Sequence, residues 1–261
     1  MRYAILSSGS CSNAYIFEKD DLTFVVDNGL SCRKFEERCL EFGFHPGKIN
    51  FIFLTHLHVD HLKGVELLSR KYQIPVVAHK NHATEVLGKK GIFKKLDVEE
   101  GREYEFRHLK FTPFRTSHDS PHSLGFYFSL DGFTFTLITD TGKVTEEMFR
   151  YARDSRLLFL EANYSPLMLS EGPYPPSLKK RISSNRGHLS NEEAGRFMTE
   201  VTSSGPCSLE HIHLCHLSQN NNTVEKVREE VAQVYQGSIP WTVCPRGEAV
   251  KGLDLSQKKG A

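Results

Sequence analysis

A short histidine-rich motif constrains this chain more than any other feature. It follows an apolar, β-rich run at residues 49–55 and reads His56-Leu57-His58-Val59-Asp60-His61. In an extended loop, residues two apart point the same way, so His56 and His58 are expected to converge on one cation. Asp60 and His61 then turn toward a second cation. Imidazole and carboxylate ligands at this spacing suit Zn²⁺ or a similar divalent ion, and the motif therefore predicts a metal site.

Ordinary loop histidines are the competing interpretation of the motif. Four metal-competent residues within six positions seldom arise by chance, even in a chain that has 13 histidines among 261 residues. The position of the motif also favours the metal site, because it lies between a predicted strand and a predicted helix from Leu62 to Tyr72, whose apolar residues have helical spacing.

The overall composition indicates a globular protein with no strong bias in charge. It is 39% hydrophobic and 25% charged, and no shift in composition marks a second domain, so we expect one α/β domain over residues 1–261. The formal net charge of +1 favours no class of partner. Any affinity for a polyanion must therefore come from local clusters of charge and from bound metal ions.

The cysteines and the N-terminal residues predict a cytoplasmic protein. Six cysteines form no Cys-x-x-Cys pair and are too sparse for a small disulfide scaffold, which favours a reducing compartment. The apolar run near the N-terminus is too short for the core of a signal peptide, and no run approaches the length of a membrane span. We expect neither secretion nor a membrane partner.

Further polar side chains mark the ends of other predicted strands. They are Asp27, His118, Asp140, Glu161 and His216. Taken singly, Asp27 fits a turn as well as it fits a partner that orients a ligand histidine. His118 alone fits a loop histidine and Asp140 alone fits a helix cap. Together with the first motif, both are better interpreted as metal ligands.

Two kinds of segment are candidates for contact with phosphate groups. The loop Ser7-Ser8-Gly9-Ser10 can offer backbone N–H groups to a phosphate, or it can simply form a turn. Clusters of basic residues are either solvated surface or contacts to a phosphate backbone. These clusters are the lysines between residues 89 and 95, and the group Lys179, Lys180, Arg181 and Arg186.

The order of the ligand candidates resembles that of a known fold. The first motif, followed by His118, Asp140 and His216 and preceded by Asp27, resembles the ligand set of the metallo-β-lactamase fold over nearly the whole chain. Four further stretches resemble the YycJ (WalJ) group of bacterial exonucleases. They are Ser7-Ser8-Gly9-Ser10 with Asn13, Thr139-Asp140-Thr141-Gly142, Gly187-His188-Leu189-Ser190-Asn191, and His216-Leu217-Ser218 with Asn220-Asn221. The implied fold is a four-layer αββα sandwich, two mixed sheets covered by helices on both outer faces.

The resemblance also implies which residues bind two divalent metal ions. One ion would be held by His56, His58 and His118. The other would be held by Asp60, His61 and His216, and Asp140 would bridge the two ions. Asp27 would orient a ligand histidine. Zn²⁺ suits these ligands best, with Mn²⁺ as the alternative.

Glu161 and His188 match the positions at which related tRNA 3′-processing endonucleases keep a glutamate and histidine pair. A hydroxide activated by the two metal ions would attack phosphorus, and His188, held by Glu161, is the candidate general acid for the leaving oxygen. Asp60 is expected to serve in catalysis as well as in metal binding. The competing interpretation of His188 is a residue that flanks a helix and has no catalytic part.

The implied activity is 5′ to 3′ exonuclease action on DNA, with a place in DNA repair. The segment from Asp140 to His216 is too short for the large extra domain of β-CASP nucleases, which leaves a single-domain enzyme. The side chains expected to contact nucleic acid are Ser8, Ser10, Asn13, Lys179, Lys180, Arg181 and Arg186. The alternatives are a hydrolase of a thioester, lactone or cyclic phosphate, an endo-acting RNA nuclease, and a metal-stabilised protein that only binds a partner.

Overall fold

Two seven-stranded sheets organise the chain in a computed structural model that describes residues 1–88 and 90–253. The strands are β1 (Arg2–Ser7), β2 (Ala14–Lys19), β3 (Leu22–Val26), β4 (Ile49–Phe53), β5 (Val76–His79), β6 (Lys95–Val98), β7 (Tyr104–Phe106), β8 (Leu109–Arg115), β9 (Leu124–Leu130), β10 (Phe133–Ile138), β11 (Leu157–Glu161), β12 (His211–Cys215), β13 (Trp241–Val243) and β14 (Val250–Lys251). The helices are α1 (Cys32–Glu41), α2 (Val59–Leu62), α3 (Val65–Tyr72), α4 (Glu146–Asp154), α5 (Pro166–Glu171), α6 (Pro176–Ile182), α7 (Asn191–Ser203) and α8 (Val224–Val234). Short 3₁₀ helices occupy Pro46–Lys48 and Thr84–Leu87.

The first of two compact units, the N-terminal unit, consists of Met1–Glu99 and Gly247–Ala261. Its sheet has the strand order β14-β1-β2-β3-β4-β5-β6, and the strands from β3 to β6 run parallel. Helices α1 and α3 bury apolar side chains in the same core, among them Phe35, Cys39, Val65 and Leu68. Because β3 and β4 are parallel neighbours, their carboxyl ends lie at one edge of the sheet, and the first motif follows β4 there.

The predicted helix from Leu62 to Tyr72 is interrupted, and Gly64 explains the interruption. Helix α2 ends at Leu62 and α3 begins at Val65. A Cβ atom at Gly64 would lie 2.0 Å from the backbone oxygen of Leu30, so only glycine fits there. The N–H of Gly64 also donates to the backbone oxygen of Asn28, at 2.8 Å. This close approach ends one helix and starts the next.

The second unit, the central unit, consists of Glu100–Arg246. Its sheet has the order β13-β12-β11-β10-β9-β8-β7, with the strands from β10 to β13 parallel and the rest antiparallel. Helices α4, α7 and α8 supply buried side chains to one core, including Met148, Ala152, Phe197, Met198, Val227 and Val231. The carboxyl ends of β10, β11 and β12 therefore meet at one edge of this sheet.

The predicted α/β class with two mixed sheets and helices is confirmed. The prediction of one domain over residues 1–261 stays a prediction. Within residues 1–88 and 90–253, no helix combines the length and the apolar character needed to cross a bilayer.

Candidate metal centre

The first motif leaves β4 as extended chain and enters α2 at Val59. His58 is the N-cap of α2, with φ −67° and ψ 148°, so the extended conformation ends at this residue. The ring centroids of His56 and His58 are 4.7 Å apart, and those of His56 and His61 are 4.1 Å apart. The helix predicted to begin at Leu62 therefore begins three residues earlier, at Val59, so Asp60 and His61 lie in a helical turn. A helical turn, rather than alternation along a strand, brings His61 back to the ring of His56.

Asp27 holds the His61 ring from the end of the neighbouring strand. The side chain of Asp27 is fully buried, and its Oδ2 atom lies 2.7 Å from Nδ1 of His61. Thr55 donates to the same carboxylate twice, from its backbone N–H at 2.8 Å and from its hydroxyl at 2.8 Å. The Thr55 hydroxyl also lies 3.0 Å from Nδ1 of His56. A carboxylate in this place fixes the ring and the tautomer of His61.

The small-residue loop before β2 is tied to the first motif through Asn13. The amide Nδ2 of Asn13 lies 3.0 Å from Nε2 of His61, and its Oδ1 accepts from the N–H of Gly9 at 2.9 Å. Asn13 and Ser8 are fully buried, whereas Ser10 is exposed. The side chains of Ser8 and Asn13 are thus buried in the loop, and only that of Ser10 is exposed. Contact of these three residues with nucleic acid stays a prediction.

In the central unit, three strand ends gather four metal-competent side chains. Ligand atoms of Asp140, Glu161, His188 and His216 all lie within 4.8 Å of one another. Asp140 follows β10, Glu161 ends β11 and His216 follows β12, so parallel pairing of these strands places the three residues side by side. The loop before α7 brings His188 to the same edge. The strand-end prediction is met for each of the three positions.

Glu161 accepts hydrogen bonds on both carboxylate oxygens. Its Oε1 atom lies 2.7 Å from Nδ1 of His188 and 3.0 Å from Nδ1 of His216. Its Oε2 atom accepts from the backbone N–H of Thr141 at 2.9 Å and of Leu189 at 3.2 Å. The residue expected to hold one histidine therefore contacts two, and one of these is a predicted metal ligand.

Glu161 and His188 each stabilise the charged form of the other, although burial disfavours both charges. Burial by itself lowers the pKa of His188, but the charge and the hydrogen bond of Glu161 outweigh it and raise that pKa above its usual value. Burial raises the pKa of Glu161, while the charge of His188 and the hydrogen bonds from His188 and His216 outweigh it and lower that pKa. The arrangement favours a carboxylate beside an imidazolium.

His118 is held by a backbone carbonyl. Its Nδ1 atom donates to the backbone oxygen of Gly187 at 2.9 Å, and its Nε2 atom lies 3.7 Å from Oδ1 of Asp140. Because a carbonyl can only accept, the proton of a neutral His118 ring is on Nδ1, and Nε2 keeps its lone pair.

Four of the five predicted ligand histidines, His56, His61, His118 and His216, share this arrangement, and it fits a divalent metal ion. In each case Nδ1 faces a protein oxygen, namely Thr55 Oγ1 for His56, Asp27 Oδ2 for His61, Gly187 O for His118 and Glu161 Oε1 for His216. A histidine that is oriented through Nδ1 offers Nε2 as a metal ligand.

The predicted basic contacts have different local environments. Nζ of Lys179 donates to the backbone oxygen of Ser170 at 2.7 Å, and Arg181 is paired with Asp119. Lys180 and Arg186 are exposed. In the other lysine cluster, Lys89 lies outside the described residues and Lys95 pairs with Asp97 at 2.7 Å.

Sequence reasoning missed two residues that position the candidate ligands, Thr55 and Asn163. The side-chain amide of Asn163 donates to the backbone oxygen of His216 at 2.9 Å. Neither residue is of a type that a search for metal ligands selects. The signal in the sequence is their position, since Thr55 directly precedes His56 and Asn163 follows two positions after Glu161.

Comparison with known proteins identifies the family. A family model described as a beta-lactamase superfamily domain matches residues 23–212. The chain is 32% identical over 239 residues to the exodeoxyribonuclease YycJ of Bacillus anthracis, covering 90% of this chain and 89% of that protein. The chain belongs to the metallo-β-lactamase superfamily, in its YycJ and WalJ group. Its predicted class, a metallo-β-lactamase fold hydrolase, follows from this membership.

Other comparisons agree with the superfamily assignment. The exodeoxyribonuclease WalJ of Streptococcus pneumoniae is 33% identical over 229 residues, covering 86% of this chain and 84% of that protein. The metallo-β-lactamase fold protein YhfI of Bacillus subtilis superimposes with a TM-score of 0.73 over 96% of this chain and 98% of its own, at 16% identity. At that identity the match shows the metallo-β-lactamase fold alone.

Proposed function

We propose that the chain is a metal-dependent phosphodiesterase that degrades DNA from the 5′ toward the 3′ end. The observation that carries the proposal is the contact between Nδ1 of His188 and Oε1 of Glu161, at 2.7 Å, beside Asp140 and His216. A thiolate can leave a thioester without a proton, whereas an alkoxide leaving a phosphodiester needs one. The names of the YycJ and WalJ relatives support DNA as the substrate.

The metal ligands are part of this proposal and follow the family resemblance. One divalent ion is assigned to His56, His58 and His118. Asp60, His61 and His216 would hold a second, and Asp140 would serve as a ligand for both. Two such ions supply, when bound, Lewis acidity toward a phosphate and a nucleophilic water at neutral pH. We assign Zn²⁺, with Mn²⁺ as the alternative that carboxylate ligands also suit.

The side chains of the central unit then supply the proton. Water oxygen bonds to phosphorus, the ester P–O bond breaks, and Nε2 of the His188 imidazolium gives its proton to the leaving oxygen. Glu161 holds the ring through Nδ1, so Nε2 is the atom that faces the substrate. His188 retains 20% of its side-chain surface, which gives a substrate atom access to the ring. The proton lost by water is released to solvent, and the neutral His188 ring takes up one proton from solvent, which restores the imidazolium for the next cycle.

The test is degradation of end-labelled DNA and RNA by the metal-loaded protein and by Asp140→Asn and His188→Ala variants. Release of nucleotides from the 5′ end of DNA by wild type, with cleavage strongly reduced in both variants, is the expected result. His45→Ala is the matched control, because His45 is exposed and belongs to no predicted site. Cleavage of RNA at internal positions would replace the DNA exonuclease with an endoribonuclease. Turnover of a thioester or lactone with intact DNA would overturn the nuclease proposal.

A cytoplasmic location and a part in DNA repair remain predictions attached to this proposal. Localisation of a tagged chain by microscopy, and survival of a deletion strain after DNA damage, would test them separately from the chemistry.

A further inference from the structure

A cavity of about 1000 Å³ opens in the central unit beside His118. Four cationic side chains line it, from three separate segments, together with two carboxylates, Glu146 and Glu147. The cations are Arg115, Lys143, Arg150 and Arg186. The volume lies at the upper end of the range for small-molecule pockets, and the lining has an excess of positive charge. The cavity is therefore suited to bind an anion. It is also larger than one small ligand requires.

Two of the four cations carry most of the uncompensated charge. Arg115 pairs with Glu100 at 2.9 Å, and Arg150 lies 3.8 Å from Glu147. Lys143 and Arg186 form no ion pair with any residue in the part of the chain that the structure describes, and both are exposed. An anion in the cavity would thus meet Lys143 and Arg186 without first breaking an existing pair.

The loops that carry Lys143 and Arg186 are in close backbone contact. A Cβ atom at Gly142, next to Lys143, would lie 2.3 Å from the backbone oxygen of Ser184, so only glycine allows the two loops to touch. The Ser117 hydroxyl donates to the backbone oxygen of Asn185 at 2.6 Å, directly before Arg186. The backbone next to Lys143 and Arg186 is therefore held in place, so that neither loop has to be ordered when a ligand binds.

We propose that Lys143 and Arg186 bind the phosphodiester backbone of a nucleic-acid strand in this cavity. The inference rests on the proposed nuclease function and names the strand path for it. The lining contains no Phe, Tyr or Trp on which a base could stack. The cavity would consequently bind a strand through its phosphates. Such binding does not depend on base sequence and weakens as the salt concentration rises. The predicted basic group at Lys179, Lys180 and Arg181 does not line this cavity, and Arg186 is the one predicted basic contact that does.

The experiment measures binding of metal-loaded protein to a fluorescent single-stranded DNA whose 5′ linkages are phosphorothioates and resist cleavage. Affinity is recorded by fluorescence anisotropy as a function of NaCl concentration for wild type, Lys143→Met, Arg186→Met and the double variant. Each lost phosphate contact makes the log–log salt slope shallower by about 0.7, so the double variant should lose about 1.4. This corresponds to about a sevenfold smaller change in affinity between 50 and 200 mM salt.

The controls remove charge elsewhere on the central unit. Lys110→Met and Arg228→Met alter exposed cations outside the cavity and should keep the wild-type slope. A double variant that also keeps the wild-type slope while wild type degrades DNA would overturn this inference and leave the nuclease standing. An equal loss of affinity for a deoxynucleoside monophosphate would make the cavity a site for small phosphates and overturn the strand path. Absence of both binding and cleavage of DNA and RNA by wild type would overturn the nuclease proposal itself.

Discussion

Nδ1 of His188 lies 2.7 Å from Oε1 of Glu161, a carboxylate with no exposed surface. The same oxygen lies 3.0 Å from Nδ1 of His216. One buried carboxylate therefore orients both the candidate general acid and a candidate metal ligand. This sharing links proton transfer to metal binding, and it makes Glu161 the most informative single position in the central unit.

Replacing Glu161 with Gln should impair both roles. Its amide can still accept from Thr141 and Leu189, but the NH₂ group then faces histidine N–H donors in place of a carboxylate. We expect kcat on DNA to fall by about 10²–10⁴, as for loss of a general acid, and metal affinity to fall by about 10–100-fold. Steady-state kinetics and chelator competition measure the two effects. Glu171→Gln, a change at an exposed carboxylate, is the control, and wild-type kcat in Glu161→Gln would refute the assignment.

Asp27→Asn should weaken metal binding from the N-terminal unit. The Asp27 carboxylate contacts Nδ1 of His61 and accepts two hydrogen bonds from Thr55. The amide of Asn offers one acceptor oxygen in place of two. The expected loss of metal affinity is about 10–100-fold. Thr55→Val removes only the hydroxyl and should cost less. Titration with a metal-sensitive dye tests both variants, and unchanged affinity in Asp27→Asn would count against its role as the partner of His61.

Removal of metal should lower thermal stability as well as activity. A ligand that binds only the folded state stabilises it by about 2.7 kcal/mol at a free concentration one hundred times its Kd. For a chain of this size that corresponds to a shift in Tm of roughly 5–10 °C. Differential scanning calorimetry before and after chelation, followed by addition of Zn²⁺ or Mn²⁺, measures the shift. A Tm that does not respond to either ion would contradict metal binding to the folded chain.

Stability should also fall as the pH drops below neutrality, because of two buried histidines in β12. Burial lowers the pKa of His213 to about 3, with a smaller effect from the charge of His211, and burial lowers the pKa of His211 to about 4. Both rings face the Thr242 hydroxyl, at 2.8 Å from His213 and 3.1 Å from His211. Unfolded histidine takes up a proton near pH 6.5, so the unfolded state binds more protons below that pH.

The sign of the effect follows from this difference. The contribution of these two histidines to the free energy of unfolding is fully present above about pH 6.5. It is lost as the pH falls toward their pKa values in the folded state. Between pH 7.5 and 5.5, His213 alone should cost about 1.4 kcal/mol of unfolding free energy. Urea unfolding of wild type and His213→Gln at the two pH values tests this, with exposed His45→Gln as the control. An identical pH dependence in His213→Gln and wild type would show that His213 does not titrate on unfolding.

Local patterns in the sequence determined the chemical type of the site. His56, His58, Asp60 and His61 are recognisable because metal ligands must be close in space, and a short motif ensures this by chain connectivity alone. Asp140, Glu161 and His216 were found because each follows an apolar run long enough for a buried strand. Alternation and turn residues are local properties, so the strands and the mixed α/β class could be predicted from them.

Only the tertiary structure decided which partner each side chain has. Ser8 and Asn13 carry nothing in their local sequence that distinguishes a buried loop support from an exposed phosphate contact. The second hydrogen bond of Glu161 depends on β12 pairing beside β11, across some fifty residues of intervening chain. Lys143 and Arg186 likewise share a cavity because Gly142 allows two distant loops to touch. Such contacts depend on how separate segments pack, and a pattern read along one segment does not contain that information.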